Sequence, residues 1–262
     1  MARNALFQGL AARAAAGALA ALPPSLATLA GEASGDAGAL QAAAALASAP
    51  LPGGHPSGGA PCTVGEGVAG VIAQVRENMV LRRAAALGGQ GCLVVPYVHN
   101  SPAPGLGSIG VLVALRRKPS AAAAEAAAAE APLASTPALL SLGRRLAMHI
   151  AAASPTYLAR AAVPQAVVER ERGIVAAASE KDLAGKPPAI AAKILEGKLG
   201  KFYGECVLLE QAFALGEEGW RVGRFLEEEG KKCGGVEVAG FACFRVGAGG
   251  GSGNAPASAS QT

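Results

Sequence analysis

The sequence predicts an α+β fold, in which packed helices accompany short antiparallel strands. Apolar residues recur at helical spacing in several stretches, of which the clearest begins at Val64 and includes Met79. Short β-branched runs at residues 93–98 and 109–115, joined by a loop rich in Pro and Gly, are typical of a strand pair. Two helical patterns of similar length within residues 164–206, joined by a tight turn, predict an antiparallel helical hairpin.

Composition narrows the possible functions. The chain has 262 residues, of which 51% are hydrophobic but only 4% aromatic, so its core must consist mainly of Val, Leu, Ile and Ala. The net charge of +4 is mild and not clustered, which disfavours a direct nucleic-acid interface. Arg13 and the pair Pro23-Pro24 interrupt the best candidate for a membrane span. We therefore expect no direct binding to nucleic acid or membrane.

The N-terminal segment fits two interpretations. Residues 1–31 contain Arg3 and Arg13 but no acidic residue, as in organelle transit peptides. The same segment also fits a helix over residues 6–22 that ends at Pro23-Pro24. Composition alone leaves both open. Residues 23–61 follow as a low-complexity insertion of Ala, Gly, Ser and Pro, with one weak helix at 39–47 and His55 in a flexible loop.

Two helices are predicted from their capping residues. Thr63 and Glu66 form a capping box, and the apolar stripe behind it predicts a helix to about Leu87, ended by Gly88-Gly89. Residues 118–135 are almost entirely Ala and are predicted as a linker. Thr136-Pro137 then opens a helix that ends before Pro155. We interpret His149 in this helix as a hydrogen-bonded structural residue, because no second metal ligand lies one turn away.

The C-terminal part predicts a short helix at residues 219–230, a strand at 236–246 and a disordered tail at 248–262. The sequence contains five cysteines, at positions 62, 92, 206, 233 and 243, and none forms a Cys-x-x-Cys pair. This spacing disfavours a zinc site, and a reducing compartment is the simplest interpretation.

The loop between the first two strands contains Gly105-x-Gly107-x-x-Gly110, which matches the dinucleotide-binding fingerprint in spacing. That fingerprint must follow a strand and open a helix, so that helix N–H groups meet the pyrophosphate. Here the glycines precede a strand, and we predict that they shape a hairpin loop. The sequence also lacks a phosphate-binding P-loop, a Gly-x-Ser-x-Gly elbow and a His-Glu-x-x-His motif. We therefore predict a non-enzyme with no cofactor and no metal.

Several motifs, in order along the chain, resemble translation elongation factor Ts. The most specific are Arg-Arg-Leu-Ala-Met-His-Ile at 144–150, Gly-Lys-Pro-Pro-Ala-Ile at 185–190 with Glu-Gly-Lys-Leu-Gly-Lys-Phe at 196–202, and Leu-Leu-Glu-Gln-Ala-Phe at 208–213. Further matching segments lie at residues 2–11, 76–85, 167–171 and 236–247. The resemblance covers nearly the whole chain apart from the 23–61 and 118–135 segments.

The resemblance implies an α+β core of two subdomains with small antiparallel sheets, and a protruding helical hairpin. The N-terminal core subdomain would comprise residues 1–117, and the C-terminal core subdomain residues 136–247, with the hairpin at 164–206. Members of this family bind the GTPase domain of elongation factor Tu, disturb its phosphate and magnesium site, and promote GDP release. The chain is accordingly expected to be a guanine-nucleotide exchange factor in translation elongation, with elongation factor Tu as its partner.

Candidate partner-binding residues also follow from the resemblance. The family has a loop histidine in a Ser/Ala-Tyr-x-His setting, which matches Pro96-Tyr97-Val98-His99. His99 is therefore expected to contact the GTPase, with Tyr97 and Asn100 beside it. Arg3 and Asn4 are also assigned to the interface, because residues 2–11 resemble the segment after the family's Thr-Asp-Phe-Val motif. This match assigns residues 2–22 to a core helix and places any targeting signal upstream.

Two departures affect the expected activity. The printed sequence lacks the family's N-terminal helical domain and the Asp-Phe pair of Thr-Asp-Phe-Val, so the alternative function is a binding-only scaffold with weak or no exchange. The family's terminal motif also loses an Arg and a Glu, at Cys243 and Ala248. The loop at residues 100–107 looks more like plant-type mitochondrial members than plastid ones. The expected location is the mitochondrion, with the chloroplast as the alternative.

Overall fold

The computed structural model of the chain describes residues 4–22, 36–118, 133–179 and 186–247. Its elements, in order, are α1 (Ala5–Ala21), α2 (Asp36–Ser48), α3 (Val64–Val75), β1 (Leu93–His99), β2 (Ile109–Arg117), α4 (Pro137–Ala153), α5 (Gln165–Ala178), α6 (Pro188–Cys206), α7 (Val222–Lys232) and β3 (Val236–Arg245). The α+β prediction is confirmed. The predicted tail at 248–262 and most of the predicted Ala-rich linker lie outside the described residues.

Within the described residues, the three strands form an antiparallel sheet in the order β1-β2-β3. Both predicted strands of the first pair are present, and the strand predicted near the C-terminus pairs with β2 along its length. A shift of register between Ala114 and Leu115 interrupts that second pairing. The sheet therefore joins strands on both sides of the predicted 118–135 linker. The subdomain boundaries themselves stay a prediction.

The main hydrophobic core lies between one face of the sheet and helices α4 and α7. Leu146 and Ile150 of α4 are fully buried in it, as are Val113 of β2 and Phe241 of β3. Gly143 sets the close approach of α4 to β1, because a Cβ there would lie 2.6 Å from a methyl carbon of Val95. The apolar residues of α4 thus form the face that covers the sheet.

A second core forms where α1, α2 and α3 pack together. This packing confirms the helical interpretation of residues 6–22. Part of the predicted low-complexity insertion belongs to the same core, since Ala43, Leu46 and Leu51 are buried there. The capping box is present, with Thr63 Oγ1 accepting from the Glu66 N–H and the Glu66 carboxylate accepting from the Thr63 N–H at 2.7 Å.

The prediction that the third helix, α3, runs to about Leu87 is wrong. The helix ends at Val75, and Arg76 adopts a left-handed conformation with φ 57°. The apolar residues beyond this point still enter the helical core, since Met79 and Leu81 pack against it and Ala84 is buried. The stripe thus predicted the burial of Met79 correctly, although the backbone there is not helical, whereas Leu81 and Ala84 enter the core from positions off the stripe.

Helices α5 and α6 form the predicted hairpin and pack against each other. Its base is held by a small cluster in which Tyr157, Val163, Val168 and Val207 are buried. Further along, Ile174 and Ile190 are 55% and 49% exposed. The loop predicted at 181–188 falls largely on residues that the structure does not describe. No helix within the described residues is both long and apolar enough to cross a membrane.

His149 is a buried structural residue, as predicted. Only 3% of its surface is exposed, and its Nε2 lies 3.0 Å from the Gln211 amide oxygen. The Gln211 amide nitrogen in turn donates to the Glu205 carbonyl at 2.7 Å. Because the Gln211 oxygen can only accept, Nε2 of His149 carries a hydrogen and donates it to this oxygen. The pair ties α4 to the end of the hairpin.

Burial lowers the pKa of His149, and the hydrogen bond with Gln211 opposes this shift. The unfolded chain therefore binds this proton at a higher pH than the folded chain. The free energy of unfolding should fall as pH drops through the unfolded-state pKa of about 6.5, and the loss should stop below the folded-state pKa.

The His149→Gln variant should show a weaker pH dependence than the wild type, since it removes the titrating group. Urea unfolding between about pH 7.5 and 5.5 measures the difference, which for one proton cannot exceed about 1.4 kcal/mol per pH unit. Equal slopes for the two proteins would show that His149 is not the group responsible.

Candidate partner-binding surface

The face of the sheet that covers the core ends in a row with polar side chains on its two outer strands. Successive rows across β1, β2 and β3 are Val95–Val113–Phe241, then Tyr97–Val111–Cys243, then His99–Ile109–Arg245. Directly opposed residues of antiparallel strands point to the same face. The face therefore changes from buried apolar side chains to the exposed side chains of His99 and Arg245, with Ile109 buried between them.

Tyr97 and His99 are joined by a hydrogen bond at this end. They stand two residues apart on β1, so their side chains lie on the same face. The Tyr97 hydroxyl lies 3.0 Å from Nδ1 of His99. Tyr97 is partly buried against the core, whereas His99 is exposed. The tyrosine thus connects the packed part of the sheet to the candidate contact residue.

Asn100 turns the chain directly after His99. Its backbone has φ 51°, a left-handed conformation that Asn tolerates better than most residues. The Ser101 hydroxyl then donates to the Ala103 carbonyl at 2.6 Å, and the Leu106 N–H donates to the same carbonyl at 3.0 Å. The loop closes where the Ser108 N–H donates to the His99 carbonyl at 3.0 Å. Tyr97, His99 and Asn100 are therefore brought together in a hydrogen-bonded hairpin end.

The glycine string shapes this loop, as predicted, and opens no helix. Its three members have different roles. Gly105 has φ 76°, a conformation that favours glycine. A Cβ on Gly107 would lie 2.4 Å from the His99 carbonyl oxygen and 2.3 Å from a Val98 methyl carbon. A Cβ on Gly110 would meet nothing within 4 Å.

The Gly107→Ala variant is expected to destabilise the fold by about 1–3 kcal/mol and to displace the loop, because the His99 backbone must move to admit a methyl group. Gly110→Ala is the matched control from the same string and should change stability by less than about 0.5 kcal/mol. Urea unfolding and the amide shifts of residues 98–108 measure both effects. Similar results for the two variants would contradict the close approach at Gly107.

The remaining predicted contact residues lie elsewhere or are not described. Arg3 is outside the described residues. Asn4 caps α1, since its side-chain oxygen accepts from the Leu6 and Phe7 N–H groups at 2.9 and 3.3 Å. Its helix packs mainly on α2 and α3. Asn4 therefore has a clear structural role, and a role in partner binding stays a prediction.

Comparison with known proteins identifies the family of this chain. The profile of the elongation factor Ts family matches residues 1–248. The chain belongs to the elongation factor Ts family. Curated members confirm the match: it is 41% identical to elongation factor Ts of Rhodospirillum rubrum over 207 residues, which cover 78% of this chain and 59% of that protein.

Other elongation factor Ts proteins match to a similar extent. Identity is 40% with the Gluconobacter oxydans protein, covering 71% of this chain and 54% of the relative. With the Methylobacterium radiotolerans protein it is 41%, covering 73% of this chain and 56% of the relative. The chain thus spans a little over half the length of these elongation factor Ts relatives.

The sequence did not reveal that arginines from distant segments of this chain meet at the His99 end of the sheet. The Arg245 guanidinium donates to the Ala151 carbonyl at the end of α4 at 3.2 Å. Arg83 donates to the Arg245 carbonyl at 3.2 Å, and its guanidinium lies 4.9 Å from the centre of the Phe244 ring. Because these residues are far apart in sequence, no local pattern indicated that they would meet. The row containing His99 is therefore bordered by positive charge.

Proposed function

We propose that the chain is a guanine-nucleotide exchange factor of translation elongation, which binds elongation factor Tu and promotes GDP release. The observation that supports this proposal is the family match over residues 1–248 together with relatives named elongation factor Ts. Exchange requires no covalent bond to be made or broken, so the chain needs no nucleophile and no general base. Within the described residues, no group of His, Cys, Asp and Glu is arranged to hold a metal.

Thermodynamic linkage defines how such a protein must act. A partner that weakens GDP binding by some factor must itself be bound more weakly, by the same factor, when GDP is present. Each tenfold of this coupling requires about 1.4 kcal/mol of contacts that differ between the two states. We assign part of these contacts to His99, because it is exposed at a sheet end whose loop and core hold it in place.

A binding-only scaffold is the second candidate. The chain spans a little over half the length of its elongation factor Ts relatives, so it represents only part of the family's contacts. A chain of this kind would occupy elongation factor Tu without disturbing the nucleotide site. Linkage separates the two candidates, because a scaffold has no differential contacts.

The affinity for nucleotide-free and GDP-saturated elongation factor Tu should therefore be compared by calorimetry. An exchange factor should bind the GDP-saturated form at least about tenfold more weakly. Equal affinities would select the scaffold, and no binding to either form would overturn both proposals. The GDP-saturated measurement needs excess free GDP throughout, so that nucleotide released by the chain is replaced.

We further propose a mitochondrial location, with the chloroplast as the alternative. The support is the resemblance of the loop at residues 100–107 to plant-type mitochondrial members. Fractionation of source cells, followed with an antibody against this chain, tests the proposal. Enrichment with a mitochondrial marker is expected, and enrichment with a plastid or cytosolic marker would contradict it.

A further inference from the structure

We propose that Tyr97 is a positioning residue for His99. Its hydroxyl donates a hydrogen bond to Nδ1 of His99, which leaves the proton of the neutral ring on Nε2 and presents Nε2 as a hydrogen-bond donor to the partner. The identity of that partner rests on the proposed function. The hydrogen bond and the ring tautomer belong to the chain alone and can be tested without any partner.

The geometry favours a polar contact over ring stacking. The Tyr97 oxygen and His99 Nδ1 are 3.0 Å apart, while the ring centroids are 6.2 Å apart and the planes are tilted by 37°. Tyr97 packs against the core, so its ring is the fixed member of the pair. Among the described residues, this is the hydrogen bond recorded for the His99 ring. The orientation of an exposed imidazole thus depends on one neighbouring hydroxyl.

The direction of this bond determines what the partner must offer. A neutral imidazole has one donor nitrogen and one acceptor nitrogen. The acidic phenol O–H is the better donor of the two groups, so Nδ1 accepts and Nε2 carries the hydrogen. A donor at Nε2 fits a carbonyl or carboxylate oxygen on the partner. The opposite direction would make Nε2 an acceptor and would require a donor on the partner.

The backbone on the other side of the ring is held as well. The His99 carbonyl accepts from the Ser108 N–H, and Gly107 lies against it so closely that a Cβ has no room. Both the main chain and the ring of His99 are therefore fixed before the partner arrives. Fixing a contact group in its bound geometry reduces the entropy lost on association.

The first test is NMR spectroscopy of the free 262-residue chain, with nitrogen-15 in the histidine rings, at a pH of about 8.5 where imidazole is neutral. The wild-type His99 should be mainly the Nε2–H tautomer, and Tyr97→Phe, which keeps the ring but removes the hydroxyl, should increase the Nδ1–H fraction. His55 and His149 are internal references, because each has its own partner, in the Ser57 N–H and in Gln211. A mainly Nδ1–H His99 in the wild type, or no change in Tyr97→Phe, would overturn the proposal.

The second test measures labelled GDP release from elongation factor Tu. Tyr97→Phe should slow it by about threefold to tenfold, the value of one hydrogen bond. In the His99→Ala background the same change should have no effect, since there is no ring to position. An equal slowing in both backgrounds would show that Tyr97 acts independently and would overturn the proposal.

Two substitutions of His99 check the donor at Nε2. The Gln side chain places its amide N–H₂ near the position of Nε2, whereas the shorter Asn places it near Nδ1. His99→Gln should therefore retain more exchange activity than His99→Asn, and the reverse order would contradict a donor at Nε2. If the wild type itself fails to accelerate release, the proposed function fails, while the NMR result still decides the role of Tyr97.

Discussion

Replacing His99 with Ala should slow GDP release from elongation factor Tu by about tenfold, which corresponds to a loss of about 1.4 kcal/mol of stabilising contact. The reason is that His99 is an exposed side chain held by Tyr97 and by the loop at residues 100–108. The substitution should leave the fold intact, because the His99 side chain is exposed and does not belong to the hydrophobic core. Release of fluorescent GDP, followed by stopped flow at a subsaturating concentration of the chain, measures the effect.

His55→Ala is the matched control for this prediction. His55 lies in a different loop, between α2 and α3, where its Nδ1 accepts from the Ser57 N–H at 3.2 Å. Its loss should leave the exchange rate unchanged. Equal rates for the His99→Ala and wild-type chains, with both fully folded, would remove His99 from the interface.

Phe225→Ala should reduce the free energy of unfolding by about 3–5 kcal/mol, the usual cost of removing a buried aromatic side chain. Phe225 is 1% exposed, stacks on Phe213 with ring centroids 4.1 Å apart, and lies 4.4 Å from the Arg145 guanidinium. The substitution removes all these contacts and leaves a cavity under α7. Urea unfolding followed by circular dichroism measures the loss.

Ile174→Ala serves as the control for Phe225→Ala. Ile174 lies on the hairpin and is 55% exposed, so its truncation should change stability by less than about 0.5 kcal/mol. A loss below about 1 kcal/mol for Phe225→Ala would mean that α7 does not pack into the sheet core as described.

The apolar stripe that begins at Val64 predicted the burial of Met79 but not the end of the helix. Met79, the last residue of this stripe, does pack against the helical core. Leu81 and Ala84 also enter this core, although they do not lie on that stripe. The helix nevertheless ends at Val75, because Arg76 adopts a left-handed conformation. A non-helical backbone can also bury apolar side chains, so an apolar pattern alone does not show where a helix ends.

Long-range pairing could not be predicted from local patterns. The strand at residues 236–246 was visible from its alternation, but nothing in it indicated that β2 is its neighbour. The pairing of Arg117 with Val236 joins residues far apart in sequence. The pairing of β2 with β1 on one side and with β3 on the other sets His99, Ile109 and Arg245 in one row. The position of the candidate site at a sheet end is therefore a property of the assembled fold.

Only part of the candidate site could be predicted from the residues themselves. A hairpin loop with structural glycines followed from chemistry and spacing, and the structure identifies Gly107 as the member with no room for a side chain. The importance of His99 came from family resemblance. Its contact with Tyr97 follows from the alternation of a strand, since residues two apart share a face.

The rate of labelled GDP release from elongation factor Tu, measured with increasing amounts of this 262-residue chain and excess unlabelled GDP, tests the central claim most directly. The proposed exchange function predicts that the rate rises with concentration and saturates well above the spontaneous rate. A rate that stays at the spontaneous value, under conditions where calorimetry shows the complex to form, would contradict exchange and leave the chain as a binding-only scaffold.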